Sequence, residues 1–349
     1  MANPKAETEI VPATPPSPLK VSTGDTIGPC MIQTLNHGDI ETNNHPDILT
    51  SAIAGGTSGE VWRARDRKGA EVAAVKFITR SNDGTSTKRA TLVSSLIKEF
   101  ASESIRFLCL PQLTAIYRGH ECIISDLMAL DMRVLLQTPR MLPLPSEHCS
   151  SIVWQVLSGL YFCIVHGDIK PENILLVSKA TVEIRVLDEE GVFQTKEVLK
   201  SPEVKIADLD DCKLPRQKDY CPMGTPGYIA PEVMEGTRLN VSNFATRSVT
   251  SDPDIDVTDK ADVFALGCLA YELHTSHMLY PEQKAAFHDC PEDDMPIELD
   301  VHAKWARVSE PDTLAFIKRA VTQKEKKRPS ADQLLKHRYF STLANVERD

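Results

Sequence analysis

The spacing of apolar residues changes along the chain. Between residues 48 and 78 the apolar positions form short runs separated by glycine-rich turns, which is typical of β-strands. Thr91–Leu108 has apolar residues at helical spacing and predicts a helix. Glu121–Met128 predicts one more strand. The first third is therefore predicted to be rich in strands.

The rest of the chain has a helical pattern. Ser146–Cys163 places its apolar residues on one face, and Asp262–Leu273 is apolar almost all round, which predicts a buried helix. Ser330 and Gln333 have the spacing of a capping box that opens a last helix. Strands followed by helices indicate an α+β fold with a small β-rich N-lobe and a larger helical C-lobe.

Three polar segments interrupt this pattern. Met1–Pro29 is rich in proline, serine and threonine and predicts a disordered tail. Ser178–Glu203 alternates apolar and polar residues and predicts a long hairpin, and Gly236–Lys260 predicts a flexible loop. One domain is expected over residues 30–342, with lobes of about 30–125 and 126–342, and a C-terminal tail at 343–349.

Composition narrows the class of protein. The 39 basic and 49 acidic residues give a net charge of -10, which argues against nucleic-acid binding. No signal sequence and no apolar run of membrane-spanning length are found. Nine cysteines without a CxxC pair favour a reducing compartment. We expect an intracellular protein, cytoplasmic or nuclear, that is monomeric and does not bind membranes.

The segment Val165–Leu176 carries the strongest chemical signal. It places Asp168, Lys170 and Asn173 on a short loop before an apolar strand. Phosphoryl transfer needs a carboxylate that positions the acceptor hydroxyl, a cation at the γ-phosphate and oxygen ligands for a metal. These three residue types suit those three tasks, in that order.

A glycine-rich segment, Ile53–Val61, lies between two predicted strands, and Lys76 ends the next apolar strand. Glycines let backbone N–H groups approach phosphate oxygens without interference from side chains. An ammonium group at Lys76 suits the α- and β-phosphates of a nucleotide. Taken alone, each feature has another interpretation, namely a hairpin turn without a ligand and a strand-edge lysine in water.

Val204–Asp210 supplies a further carboxylate. Asp208 directly follows an apolar strand, where a carboxylate can hold Mg²⁺ across two phosphates. Asp210 stands two residues later. If the backbone there needs a positive φ, aspartate is among the few residues that tolerate it.

In this order the segments resemble those of the eukaryotic protein kinases. The resemblance runs from about residue 48 to 340. It includes Gly224–Glu232, which is similar to the end of a kinase activation segment, Asp262–Gly267, which is similar to the start of the large buried helix, and Lys327–Ala331. In the family, the arginine of this last segment pairs with the glutamate of the activation segment. The resemblance therefore implies a structural ion pair between Arg328 and Glu232.

The resemblance implies a serine/threonine kinase that transfers the γ-phosphoryl group of ATP, bound with Mg²⁺, to a hydroxyl of a protein substrate. Asp168 would orient that hydroxyl and accept its proton, and Lys170 would neutralise the γ-phosphate. Asn173 and Asp208 would hold Mg²⁺. Besides Asn173, the residues implied to bind ATP are Ala54, Gly55, Gly56, Gly59, Val61, Ala74, Lys76, Glu103, Asp126, Met128 and Asp131.

Two points stay open at the level of sequence. Lys76 needs an anionic partner. The predicted helix Thr91–Leu108 offers both Glu99 and Glu103, of which the resemblance favours Glu103. Glu172 and the pair Asp293–Asp294 would suit basic residues in a substrate, but the sequence KPEN is too common to predict that preference.

The chain also departs from the family pattern. Ala54 replaces the first loop glycine, Gly167 replaces the arginine before the catalytic aspartate, and Asp210 replaces the glycine of the DFG motif. These departures raise the alternative of a pseudokinase that acts as a scaffold or allosteric partner. The sequence HGD, found here at His166–Asp168, also occurs in small-molecule kinases such as aminoglycoside phosphotransferases, but those lack the KPEN, APE and DVFALG segments found here.

Overall fold

The computed structural model describes most of the chain, which divides into two compact units. The first unit is formed by residues 1–88 and 111–127, and the second by residues 89–110 and 128–349. The described residues are 33–34, 48–56, 59–65, 71–78, 104–117, 120–161, 165–187, 191–209, 212, 224–235, 258–283 and 302–343.

The first unit is built on a six-stranded antiparallel sheet with the order β1-β5-β6-β4-β3-β2. Its strands are β1 (Gln33–Thr34), β2 (Ile48–Gly56), β3 (Gly59–Arg65), β4 (Glu71–Ile78), β5 (Leu113–Tyr117) and β6 (His120–Asp126). Trp62 and Val75 lie in its core, and the rings of Phe77 and Tyr117 pack at 5.6 Å. The strands predicted in residues 48–78 and at Glu121–Met128 are confirmed.

The second unit is mainly helical. Its α-helices are α1 (Met132–Leu136), α2 (Ser146–Leu160), α3 (Asp259–Thr275), α4 (Pro311–Ala320) and α5 (Ala331–Leu335). Short 3-10 helices occur at Ser104–Phe107, Pro139–Met141, Pro171–Asn173, His302–Arg307, Glu325–Lys327 and Arg338–Phe340. Helix α3 is buried on nearly all sides from Ala261 to Leu273, as its sequence predicted. It is the centre of this core because α2 and α4 pack on it.

Two small sheets complete the second unit. One has the order β11-β8-β7, formed by β7 (Leu130–Asp131), β8 (Ile174–Leu176) and β11 (Val204–Ile206). The other is an antiparallel pair of β9 (Thr181–Leu187) and β10 (Phe193–Leu199). This pair confirms the hairpin predicted within Ser178–Glu203. Because β8 and β11 are antiparallel neighbours, the residues just before β8 and just after β11 meet at one end of the sheet.

Some boundaries differ from the sequence prediction. Helix α3 begins at Asp259, inside the predicted loop, because Thr258 Oγ1 caps it by accepting from the Lys260 N–H at 3.3 Å. The capping box of Ser330 and Gln333 is confirmed, with the Ser330 N–H donating to Gln333 Oε1 at 3.1 Å.

Other predictions concern segments that the structure does not describe. These are the tail 1–29, the loop residues 236–257 and the predicted helix at 91–103. The predicted domain and tail boundaries stay predictions. Among the described ranges, no helix combines the length and apolar character required to cross a membrane.

Candidate active site

Asp168, Lys170 and Thr225 form a closed triangle of hydrogen bonds. Lys170 Nζ donates to Asp168 Oδ2 at 2.6 Å and to Thr225 Oγ1 at 2.8 Å. The Thr225 hydroxyl in turn donates to Asp168 Oδ1 at 2.7 Å. The side chains of Asp168 and Lys170 are 28% and 20% exposed, so the triangle faces solvent on one side. The arrangement presents a carboxylate and an ammonium group together at an accessible surface.

Asn173 closes the same loop from the other side. Its Nδ2 donates to the backbone carbonyl of Asp168 at 2.8 Å, and the residue is buried. Because the amide nitrogen is used in this way, the amide oxygen is the atom of Asn173 that can meet a cation. The three predicted residues Asp168, Lys170 and Asn173 therefore lie together.

Asp208 lies beside Asn173. The N–H of Ala207 donates to the carbonyl of Asn173 at 2.8 Å, so the segment after β11 runs along the loop that carries Asp168 and Asn173. Asp208 has φ 65°, in the left-handed region, which aspartate tolerates better than most residues. The sequence had raised this backbone conformation for Asp210, which lies outside the described residues.

The donor set of Asn173 and Asp208 fits Mg²⁺. Both supply oxygen, which is the ligand type that this cation prefers. In the parts of the chain that the structure describes, no group of three His, Cys, Asp or Glu side chains forms a complete metal site. Mg²⁺ is commonly bound by one or two protein ligands together with phosphate oxygens, so a partial site is what a nucleotide-bound metal requires.

The glycine-rich loop of the first unit is the turn between β2 and β3. Register pairs Ala54 with Val61 and Val61 with Lys76, which places these three side chains on one face of the sheet. A Cβ atom at Gly59 would collide with the Phe77 carbonyl oxygen, whereas one at Gly55 would meet no heavy atom within 4 Å. Gly59 is therefore required by the sheet itself, and Gly55 leaves open space above the loop.

The remaining candidates of the first unit lie on strands β2, β4 and β6 of the same sheet. Gly56 pairs with Gly59, and Ala74 of β4 pairs with Arg63 of β3. Asp126 ends β6, and its carboxylate accepts a hydrogen bond from the side chain of Gln112.

In the second unit, Met128 is half-buried, and Asp131 has a local task that the sequence analysis did not assign. Asp131 is the N-cap of α1, and its Oδ1 accepts from the Val134 N–H at 2.9 Å. Both Glu99 and Glu103 lie outside the described residues, as do Asp293 and Asp294.

A family model described as "Protein kinase domain" matches residues 49–340 of the chain. The chain belongs to the protein kinase family. The chain is 25% identical over 310 residues to the human dual specificity mitogen-activated protein kinase kinase 7, a match that covers 85% of this chain and 63% of that protein. It is also 27% identical over 178 residues to the dual specificity protein kinase lkh1 of Schizosaccharomyces pombe, covering 50% of this chain and 23% of the relative.

Its fold is also that of a solved kinase. A crystal structure of a kinase domain superposes with a TM-score of 0.62 at 19% identity, over 87% of this chain and 98% of the other. The expected two-lobe α+β kinase fold is thereby confirmed. The matched part of the chain covers well under two thirds of the length of lkh1. It covers slightly less than two thirds of the length of the human mitogen-activated protein kinase kinase 7.

His166 connects the loop that carries Asp168 to the segment that carries Asp208. Its Nε2 lies 2.8 Å from the Ala207 carbonyl oxygen, and its Nδ1 accepts from the Asp168 N–H at 3.2 Å. With Nδ1 as acceptor, the ring proton is on Nε2, and the neutral tautomer satisfies both contacts. His166 therefore fixes Asp168 relative to the residue that precedes Asp208.

Asp262 is a residue whose task the sequence analysis missed. Its buried carboxylate accepts from the N–H groups of His166 at 2.6 Å and Gly167 at 2.8 Å. Burial raises the pKa of Asp262 to about 6, although both N–H groups favour the ionised form. The motif DVFALG had marked the helix but gave no indication of this contact.

The predicted ion pair of Glu232 and Arg328 is confirmed. Arg328 Nη1 and Nη2 donate to the two carboxylate oxygens of Glu232 at 2.6 and 3.0 Å, and the Arg328 side chain is 0% exposed. Its remaining donors meet backbone carbonyls, including that of Lys260 at 2.8 Å. The pair holds the end of the activation segment against the start of α3.

Proposed function

We propose that this kinase-family chain is a serine/threonine protein kinase that uses ATP with Mg²⁺. The observation that supports this most strongly is the triangle of Asp168, Lys170 and Thr225. It orders the carboxylate and the ammonium group through hydrogen bonds within the chain. Preorganised charge of this kind lowers the barrier to phosphoryl transfer because little reorganisation is left for the reaction itself.

In this proposal each residue has one task. Asp168 accepts a hydrogen bond from the substrate hydroxyl and takes its proton as the new O–P bond forms and the bond to the leaving ADP breaks. Lys170 neutralises charge on the transferring phosphoryl group. Asn173 stabilises the backbone at Asp168 and offers its amide oxygen to the metal ion.

The proposed use of ATP and Mg²⁺ follows from the same phosphoryl-transfer chemistry. When bound, Mg²⁺ would neutralise phosphate charge and align the phosphates for in-line transfer. Asn173 and Asp208 of the second unit are proposed as its protein ligands. In the first unit, the loop Ala54–Val61 and Lys76 are proposed to bind phosphates, with Ala74 and Asp126 as further ATP contacts. Met128 and Asp131 of the second unit are proposed likewise.

The preference for serine and threonine rests on the resemblance at Lys170 in the sequence DIKPEN. Several relatives are named dual specificity kinases, so tyrosine is the acceptor against which this preference must be tested. The pseudokinase alternative is disfavoured because Lys76, Asp168, Asn173 and Asp208 are all retained.

Three peptides that differ only in a single serine, threonine or tyrosine acceptor test the proposal. Purified protein with ATP and Mg²⁺ should phosphorylate the first two faster than the third, and chelation of Mg²⁺ should stop all transfer. Calorimetric titration should show tighter ATP binding with Mg²⁺ than without it. Absence of transfer to all three peptides, together with equal ATP affinity under both conditions, would favour a pseudokinase.

A further inference from the structure

Arg133 uses all three of its guanidinium nitrogens within the second unit. Its Nε donates to Glu172 Oε1 at 2.9 Å, its Nη1 to Glu272 Oε1 at 2.5 Å and its Nη2 to the Tyr228 hydroxyl oxygen at 2.6 Å. The Tyr228 hydroxyl also donates to the other carboxylate oxygen of Glu272. One arginine on α1 thus joins the catalytic loop, the end of the activation segment and α3.

The two glutamates differ in their access to solvent. The side chain of Glu272 is 5% exposed and that of Glu172 is 43% exposed, whereas Arg133 itself is 19% exposed. A buried carboxylate such as that of Glu272 is costly unless a cation or several donors meet it. The two carboxylates therefore form a binding site that suits a guanidinium group, and Arg133 of the same chain occupies it.

Arg133 is held there in its charged form. Burial alone would lower its pKa, but the surrounding groups outweigh burial, and the pKa of Arg133 lies above its usual value. The groups that raise it are Tyr228, Glu172 and Glu272. No ordinary pH would release it by deprotonation.

This cluster lies next to the proposed acceptor site along both chain segments. Glu172 follows Lys170 by two residues, and Tyr228 follows Thr225 by three, while Lys170 and Thr225 both contact Asp168. An extended peptide advances about 3.3 Å per residue. Glu172 lies four residues after Asp168, so their Cα atoms are at most about 15 Å apart. A peptide with its hydroxyl at Asp168 therefore has residues, within about four positions of the acceptor, that can reach as far as Glu172.

We propose that Arg133 is a specificity-determining residue that occupies, with an internal guanidinium group, the carboxylates that would otherwise attract an arginine of the substrate. The inference rests on the proposed function, because it concerns the peptide that reaches Asp168. It opposes the preference for basic substrate residues that Glu172 would suit if Arg133 were absent. The chain should instead show no preference for arginine near the acceptor.

The direct test is peptide binding to wild-type protein and to Arg133→Met. The probes are fluorescent peptides with alanine at the acceptor position and either arginine or glutamine at each of the three positions on either side. For wild type, the dissociation constants of the arginine and glutamine members of each pair should differ by less than about twofold. Arg133→Met should bind the arginine member at least about tenfold more tightly at one or more positions, because charge-assisted hydrogen bonds to carboxylates then become available.

Three variants serve as controls. Arg133→Lys keeps a cation between the glutamates and should show no gain for arginine peptides. Adding Glu172→Gln to Arg133→Met should remove most of the gain, since the exposed carboxylate is the one that a peptide reaches first. Adding Glu272→Gln to Arg133→Met should also reduce the gain. This double variant no longer has the unpaired buried carboxylate that Arg133→Met leaves, so it can be tested even if the single variant folds poorly.

The outcomes separate this inference from the proposed function. Wild-type protein that binds arginine peptides tenfold more tightly than glutamine peptides contradicts the inference, as does Arg133→Met with an unchanged ratio. If wild type phosphorylates peptides, but Arg133→Met has the same ratio of affinities for arginine and glutamine peptides as wild type, kinase activity is supported and the proposed role of Arg133 is wrong. If no variant transfers phosphate but Arg133→Met gains arginine binding, the role of Arg133 is supported and kinase activity is contradicted.

Discussion

The carboxylate of Asp262 accepts the backbone N–H of Gly167 at 2.8 Å, although 95 positions separate the two residues in the sequence. Gly167 has φ 80°, in the left-handed region that glycine adopts without steric cost. Asp262 stands in the first turn of α3, a helix that is buried on nearly all sides. The backbone that leads into Asp168 is therefore fixed by the core.

The burial of the Asp262 carboxylate predicts a pH-dependent contribution to stability. Burial raises the pKa of Asp262 from 3.8 to about 6 in the folded chain. The contribution is fully present below about pH 4, and it is lost as the pH rises through 6, because the folded state then gives up a proton that it binds more tightly than the unfolded state does. Two pKa units correspond to about 3 kcal/mol.

Denaturant unfolding of wild type and Asp262→Asn at pH 4 and pH 7 measures this effect. The asparagine does not titrate, so the unfolding free energy of wild type relative to the variant should fall by about 3 kcal/mol between these pH values. A difference between the two proteins that is the same at both pH values would show that the Asp262 pKa is not raised by folding.

The ion pair of Glu232 and Arg328 should be essential for stability. Glu232→Ala leaves the fully buried guanidinium group of Arg328 without its carboxylate partner, and this should lower the unfolding free energy by about 3–5 kcal/mol. The matched control is Arg338→Gln, which breaks an exposed pair with Asp312 in which the side chains are 83% and 47% exposed. That variant should lose less than about 1 kcal/mol. Equal losses in thermal or chemical unfolding would contradict this account.

Thr225 should matter for turnover through its hydroxyl. Thr225→Ala removes one donor to Asp168 and one acceptor from Lys170, so kcat should fall by about tenfold or more. Thr225→Ser keeps the hydroxyl, so its kcat should stay within about threefold of the wild-type value. That change corresponds to less than the free energy of one hydrogen bond. Steady-state kinetics on a serine peptide separate the two. A serine variant as slow as the alanine variant would mean that the methyl group, and not the triangle, is what matters.

The sequence predicted the parts of this molecule that depend on local pattern. Apolar periodicity located α2 and α3, and the sequence predicted that Asp168, Lys170 and Asn173 lie together on one loop, as they do in the structure. It did not reveal the contacts of Asp262 or Arg133, because partners such as Arg133 and Glu272 are 139 residues apart and no local signal connects them. The capping task of Asp131 was visible in principle, since aspartate before a helical run favours the N-cap position.

Activity should not depend on phosphorylation of the activation segment. Gly167 offers no side chain to receive a phosphate, and the Thr225 hydroxyl is already bound to Asp168 and Lys170. Two tyrosines also lie between Asp208 and Glu232. The Tyr228 hydroxyl is already bound to Arg133 and Glu272, and Tyr220 lies outside the described residues. Phosphatase treatment, verified by mass spectrometry, should leave the peptide rate within about twofold of a mock-treated sample. A loss of about tenfold or more, or more than about 1.4 kcal/mol in the barrier, would show that a phosphate orders the site.

The most direct test of kinase function is the rate of phosphoryl transfer by Asp168→Asn. The asparagine keeps the shape and most hydrogen bonds but cannot accept the substrate proton, so the rate should fall by about 10²–10⁴-fold. Affinity for ATP with Mg²⁺ should change little, whereas Asp208→Asn, the matched control, should weaken that affinity as well as the rate. The account is contradicted if Asp168→Asn transfers phosphate to a serine peptide as fast as wild type does.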